Sequence, residues 1–234
     1  MNERMNHLGQ PIGGELNQWE ERPSPRRIVL QGKYCRLVPL DPVLHGAQLY
    51  QAFIEKDQEA DWTYLPYGPF HNSKEFDVWL ENACSGNDPL FYSVIDERSS
   101  QAIGLVSFLR IDPRVGVIEV GHIHFSACLQ KTPMATEAMY LMMAYVFDEL
   151  GYRRYEWKCD SCNQGSKKAA LRLGFKYEGI FRQATLYKGR NRDTAWFSML
   201  DKEWPELKEI FHKWLDEENF DDKGQQKCSL QDCR

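Results

Sequence analysis

Glu119, His122 and His124 fall close together in the run VIEVGHIHF. Carboxylates and imidazoles are the side chains that most often move protons near neutral pH. The run is rich in β-branched residues and alternates at its end, which predicts a strand over 117–125. On a regular strand the two histidines share one face and Glu119 points to the other. Burial of Glu119 on such a strand would favour its protonated form and suit a general base; the plainer reading is a hydrogen-bond partner for a neighbouring loop. His122 and His124 read either as a base or relay or as core histidines with satisfied nitrogens. Two histidines at i and i+2 also suit a metal, yet no further ligand supports one, so no metal site is expected.

A second chemical feature follows at once. From Met134 the sequence MATEAMYLMMAYVFDEL carries strong helix formers, with apolar residues spaced along one side. Pro133 suits the first turn, and Glu137 suits the positive end of the helix dipole. A strand that runs into a helix start leaves backbone N–H groups pointing outward, which is an anion site and most often a phosphate site.

The rest of the chain must position these groups. With 234 residues, 42% of them hydrophobic and 13% aromatic, the sequence suits one domain with a substantial core. A net charge of −5 gives no reason to expect nucleic acid. No apolar run is long enough to span a membrane, and no apolar leader opens the chain, so a cytoplasmic setting is expected. The seven cysteines read as reduced thiols; the C-x-x-C at Cys159–Cys162 has no second pair at zinc spacing.

In order, residues 1–27 form a polar arm punctuated by Pro and Gly, either mobile or anchored across the surface by Trp19. The domain is expected over 28–217, and 218–234 as a disordered tail. Ile28–Leu40 reads as a strand pair, Val43–Glu55 and Ser73–Cys84 as helices. Leu90–Asp96, Ala102–Ile111 and Val117–Phe125 read as an antiparallel meander. The long helix stops at Gly151. Arg154–Cys159 is a strand, Asn163–Leu173 a helix, Phe175–Arg182 and Thr194–Leu200 strands, and Pro205–Glu217 a terminal helix. A βαβ unit fed by a meander predicts an α/β (α+β) fold on one mixed sheet, with a ligand at the carboxyl ends of its parallel pair.

The motifs in this order resemble the GCN5-related N-acetyltransferase (GNAT) family, in the branch that includes the ribosomal-protein N-terminal acetyltransferases. Glu119-Val120-Gly121-His122 is similar to that branch's Glu-Ile-Gly-Tyr strand, and Ala135-Thr136-Glu137-Ala138 to its helix start. Asn163, Ser166, Leu173-Gly174-Phe175 and Glu178-Gly179 follow its later pattern, and Arg192-Asp193 to Leu200 its closing strand. The resemblance covers about residues 30–204 and implies a mostly antiparallel twisted sheet with helices on both faces. A parallel pair would splay apart at the cofactor site. It implies acetyl-CoA as donor and a primary amine as acceptor, on a small molecule or a protein N-terminus, in a monomer or homodimer.

On that resemblance Ile123, Phe125, Leu129, Gln130, Lys131, Thr132, Met134, Ala135, Thr136, Asn163 and Ser166 are the cofactor-binding candidates. Asn163 also suits a plain helix cap. Glu119 and His122 are candidate bases, and Tyr187 a proton donor to the leaving thiolate or else a surface aromatic. Trp62, Tyr64, Tyr67 and Phe70 would clamp an ammonium or pack the early helices. The basic GRNRD stretch at 189–193 reads as a turn that faces solvent or pairs with Asp193. One departure stands out: Lys131 and Pro133, or with a one-residue shift Gln130 and Thr132, occupy positions where the family carries phosphate-loop glycines, and Pro133 has no N–H to donate. Either Lys131 and the Thr132 and Thr136 hydroxyls replace the lost contacts, or the domain is a relative that binds acyl-CoA or a partner without turnover.

Overall fold

The ends of the elements follow local chemistry. In this computed structural model, which describes residues 4–54, 59–222 and 224–233, the chain order is β1 (Arg4–Met5), β2 (Pro11–Ile12), β3 (Leu30–Gln31), β4 (Cys35–Pro39), α1 (Pro42–Ile54) and α2 (Ser73–Ala83). Then come β5 (Leu90–Asp96), β6 (Ala102–Asp112), β7 (Val117–Phe125), α3 (Pro133–Ala144), β8 (Arg154–Asp160), α4 (Gln164–Arg172), β9 (Lys176–Tyr187), β10 (Arg190–Leu200) and α5 (Trp204–Leu215). Asn72 caps α2 through the Glu75 N–H, Thr132 caps α3 ahead of Pro133, and Asn163 caps α4 through the Ser166 N–H. One π turn, Tyr145–Glu149, carries α3 on towards Gly151.

Eight strands form one sheet in the order β3-β4-β5-β6-β7-β8-β10-β9. Every neighbouring pair is antiparallel except β7 and β8. Both faces are covered, so β5 is buried along its whole length and reads as an apolar run rather than an alternation. Phe91 and Ile95 join Leu49, Phe53, Phe76 and Leu80 under α1 and α2. Leu90, Tyr92 and Val94 belong to the larger cluster with Met139, Met142 and Phe211 under α3 and α5.

Three expectations need correction. Glu137 does not serve its own helix end. Its carboxylate is buried and accepts hydrogen bonds from the backbone N–H groups of Lys33, Tyr34 and Cys35, at 2.7–2.8 Å, and so ties α3 to the β3–β4 turn. The segment after 217, expected to be disordered, folds back: Asn219 bonds to Trp214 and Cys228, and Leu230 is buried. Its polar composition hid a few strong anchors. The β9–β10 hairpin runs well beyond the expected ends, with Asn191 opposite Leu186 and Arg192 opposite Thr185, because an exposed hairpin pairs through its backbone and shows no alternation. At the other end Trp19 does anchor the arm, donating to the Arg114 carbonyl with Arg22 over its ring.

Candidate active site

The parallel pair makes the opening. Its ladder runs only from Val117–Arg154 to Val120–Trp157. Beyond that β7 stays with β6 as far as Phe125, while β8 stays with β10 as far as Asp160. The two strands diverge, as expected, and leave on each side a β-strand edge without a partner among the described residues.

A bulge in β7 sets which side chains face the gap. His122 has φ +52°, and the pairing with β6 slips between Leu105–His124 and Ser107–Gly121. An extra residue inverts the alternation that follows it. His122 therefore lines the same cavity as Glu119, contrary to the expectation of opposite faces. His124 turns to the α1 side, stacked 4.0 Å from Phe53 with the Trp62 ring edge-on. Burial holds the pKa of His124 down to about 3, so it is a neutral core residue.

On the α1 side of the gap lies a cavity of about 540 Å3, with Glu119, His122, Lys158, Asp160, Tyr187 and Arg192 in its wall. Glu119 sits in an ion chain. Its Oε2 accepts from Arg110 at 2.7 Å and from Lys158 at 2.8 Å. Lys158, 7% exposed and lying over the Trp196 ring, also meets Glu156 at 2.7 Å, and Arg154 links Glu156 to Glu178. Burial alone therefore does not describe Glu119, since two cations flank it. Among the described residues its Oε1 has no partner. A Cβ on Gly121 would lie 3.9 Å from that oxygen and 2.9 Å from a Leu109 methyl, so the glycine keeps this face open.

The neighbouring groups are held firmly. Arg110 takes φ +48° in its own bulge, where the Asp88 carboxylate accepts the N–H groups of Arg110 and Ile111. His122 Nδ1 lies 3.1 Å from the Tyr67 hydroxyl, and burial together with Arg110 lowers its pKa to about 4. Tyr187 donates to Asp160 at 2.8 Å, and burial plus that carboxylate pushes its pKa up to about 12. Of the early aromatics, Trp62, Tyr67 and Phe70 pack on one another, and Tyr67 and Phe70 also on Trp79, while Tyr64 lines the cavity.

A second cavity of about 980 Å3 lies along the start of α3. The two share Ile123, Trp157, Asn163 and Ser166, so they adjoin at the splay. Of the other expected cofactor residues, Phe125, Gln130, Lys131, Ala135 and Thr136 line the second cavity. Leu129 does not: it is fully buried against Gly104 in the core. Thr132 and Met134 do not line it either. The Thr132 hydroxyl is spent on its helix cap and on the Leu129 carbonyl, and that of Thr136 meets Arg172 at 3.1 Å, which narrows the expected replacement for the missing glycines to Lys131. Lys131 itself has φ +61°, the left-handed conformation a glycine would adopt there. Asn163 caps α4 and lines both cavities at once, so its two readings coexist.

Arg172, Trp214 and Phe220 complete this wall and were not foreseen. Ser166, Ala169 and Arg172 recur every three residues on α4, a spacing that points to Arg172 once Ser166 is chosen. Nothing local marks Trp214, on α5, or Phe220, which reaches the cavity through the folded tail.

Known proteins match this arrangement. Residues 36–176 match the family model described as an acetyltransferase (GNAT) domain. The chain belongs to the GNAT family of N-acetyltransferases. A GCN5-related N-acetyltransferase from Brucella melitensis is 50% identical over 93% of this chain and 99% of its own, with a TM-score of 0.92. An "uncharacterized N-acetyltransferase p20" of Bacillus licheniformis is 31% identical over 113 residues, 48% of this chain and 63% of that relative, so the match spans less than two thirds of it. A ribosomal L7/L12 alpha-N-protein acetyltransferase, 19% identical with a TM-score of 0.63 over 76% of this chain and 97% of its own, shares the fold alone.

Proposed function

We propose that this protein transfers the acetyl group of acetyl-CoA to a primary amine in the cytoplasm, with Glu119 as the base. The observation that carries the reading is the Oε1 of Glu119, unpartnered among the described residues, in a cavity that adjoins a second one at the start of α3. The second cavity fits the donor. Arg172 and Lys131 supply positive charge, the α3 start supplies outward N–H groups, and the free β7 edge suits an amide-rich arm laid alongside it. Lys131 in a glycine-like conformation favours retained binding over the degenerate alternative.

Acetyl-CoA supplies an activated acyl thioester. The chain's own residues orient the acceptor and manage its proton. Arg110 and Lys158 fix one Glu119 oxygen, leaving the other to accept the proton of an amine or of a bridging water. His122, kept neutral by burial, is the second group able to take that proton. Tyr187, the candidate donor to the leaving sulfur, has its own proton engaged by Asp160, so it acts as part of a Tyr187–Asp160 pair. Calorimetric titration with acetyl-CoA and an amine panel read by thiol release test the proposal. No binding at millimolar acetyl-CoA overturns it. An unchanged turnover rate in Glu119→Gln removes Glu119 from the role of base.

A further inference from the structure

The acceptor cavity is lined by three carboxylates, and each is already engaged. Glu119 holds Arg110 and Lys158. Asp160 accepts from the Tyr187 hydroxyl and the Cys162 N–H. Asp61 accepts from Gln130. The cations divide differently. Lys158 is shared by two carboxylates, and Arg110 is committed to Glu119. Arg192 lines the same cavity, and among the described residues its guanidinium has neither a hydrogen bond nor an ion pair; its Nε is buried without a partner. A buried guanidinium donor left unmatched is costly, and a planar carboxylate is the group that best matches its fork. The unspent charge of this cavity is therefore positive.

The same cavity is roofed. Lys188 donates to the Trp62 carbonyl at 2.7 Å, and Arg190 to the Thr63 carbonyl at 2.6 Å, tying the β9–β10 turn to the aromatic loop. The Tyr64 hydroxyl, 3.3 Å from the Cys162 carbonyl, ties that loop to the start of α4. A roof held at three points suits a small molecule better than a protein terminus threaded through it.

We propose that the acceptor is a small amine that also carries a carboxylate, and that Arg192 is the residue that binds this carboxylate. This rests on the amine acetylation proposed above, with the amine at Glu119 and the carboxylate further along β10. Arg192 lies four positions from Trp196, the residue under Lys158, or about 13 Å of strand at its usual rise, so the two groups of the acceptor are separated by a chain of several atoms.

The test is thiol release from acetyl-CoA with glycine, 4-aminobutyrate and 6-aminohexanoate, each beside its carboxamide, and with 1,4-diaminobutane and a free-N-terminal octapeptide. The longer amino acids should exceed their carboxamides by about 10- to 100-fold in kcat/KM, the range of a charge-assisted hydrogen bond. Arg192→Gln should reduce that ratio to near unity, and Arg192→Lys should retain part of it. Preference for a carboxamide, the diamine or the octapeptide overturns the inference, as does a ratio that survives Arg192→Gln. Should no acceptor release thiol, the acetylation reading fails by itself. Equilibrium titration of 6-aminohexanoate by tryptophan fluorescence then decides the inference: saturable binding lost in Arg192→Gln supports it, and no saturable binding to the wild-type protein overturns it. If Arg192→Gln does not fold, the wild-type comparison of acids with carboxamides decides alone.

Discussion

Replacing Lys158 with methionine removes the cation that two buried carboxylates share. The ammonium lies 2.8 Å from Glu119 and 2.7 Å from Glu156, and the three side chains are 7%, 4% and 8% exposed. Methionine keeps much of the volume and its packing on Trp196, so the change isolates the charge. Losing one partner from a buried ion pair costs about 3–5 kcal/mol. Here Arg110 remains on Glu119 and Arg154 on Glu156, which lowers the expected loss to about 2–4 kcal/mol. For a chain of this length that is a fall of about 4–16 °C in Tm. Urea unfolding followed by circular dichroism gives the free energy, and a thermal scan gives the midpoint. Adding Glu156→Gln to Lys158→Met should recover at least about 1 kcal/mol, because it removes one stranded charge. A Lys158→Met loss below about 1 kcal/mol, or a double variant weaker than the single one, would show that the chain of charges does not act as a unit.

Three further outcomes are expected. His124, with its pKa held near 3 by burial, stays neutral in the folded protein while the unfolded chain takes up a proton below its ordinary value near 6.5. Its contribution is therefore complete above that value and is lost as the pH falls towards 3, by about 2 kcal/mol at pH 5; His124→Phe should flatten that part of a stability–pH curve from urea unfolding. Glu137→Ala leaves the N–H groups of Lys33, Tyr34 and Cys35 without their acceptor and should cost about 2–5 kcal/mol by the same method, with a loss below about 1 kcal/mol counting against the tie. Arg172→Ala should weaken acetyl-CoA about 10-fold or more in calorimetry, and unchanged affinity would remove Arg172 from the donor cavity.

What could be read from the sequence was whatever depends on neighbours along the chain. The helix start at Thr132–Pro133, the stop at Gly151 and the cap at Asn163 all lie in local chemistry, and their order carried the family resemblance and the splayed parallel pair. The contents of the site depend on distant partners. Asp88 holds the backbone that aims Arg110, and Lys158 joins Glu119 only because β7 and β8 are adjacent. Arg192 sits in a polar stretch that reads as a turn facing water, and only the extended hairpin carries it into the cavity wall. The tail was misjudged for the same reason, since Asn219 and Leu230 are isolated anchors in polar surroundings.

The extra residue in β7 also decides which kinds of change this protein tolerates. Ile118 and Val120 face the larger core, and after the slip Ile123 and Phe125 pack against that same core. One strand thus carries two alternating patterns set out of step by a single position. A substitution within either pattern changes one contact. A deletion at Gly121 or His122 would remove the extra residue and leave one regular alternation, with Ile123 and Phe125 still on the face of Ile118 and Val120 and His124 still on the face of Glu119. The extra residue therefore serves the placement of His122 in the site and not the packing of the strand. A library of variants scored for both folding and thiol release should contain single-residue gaps at 121 or 122 that fold and lose activity; gaps there that never fold would count against this reading.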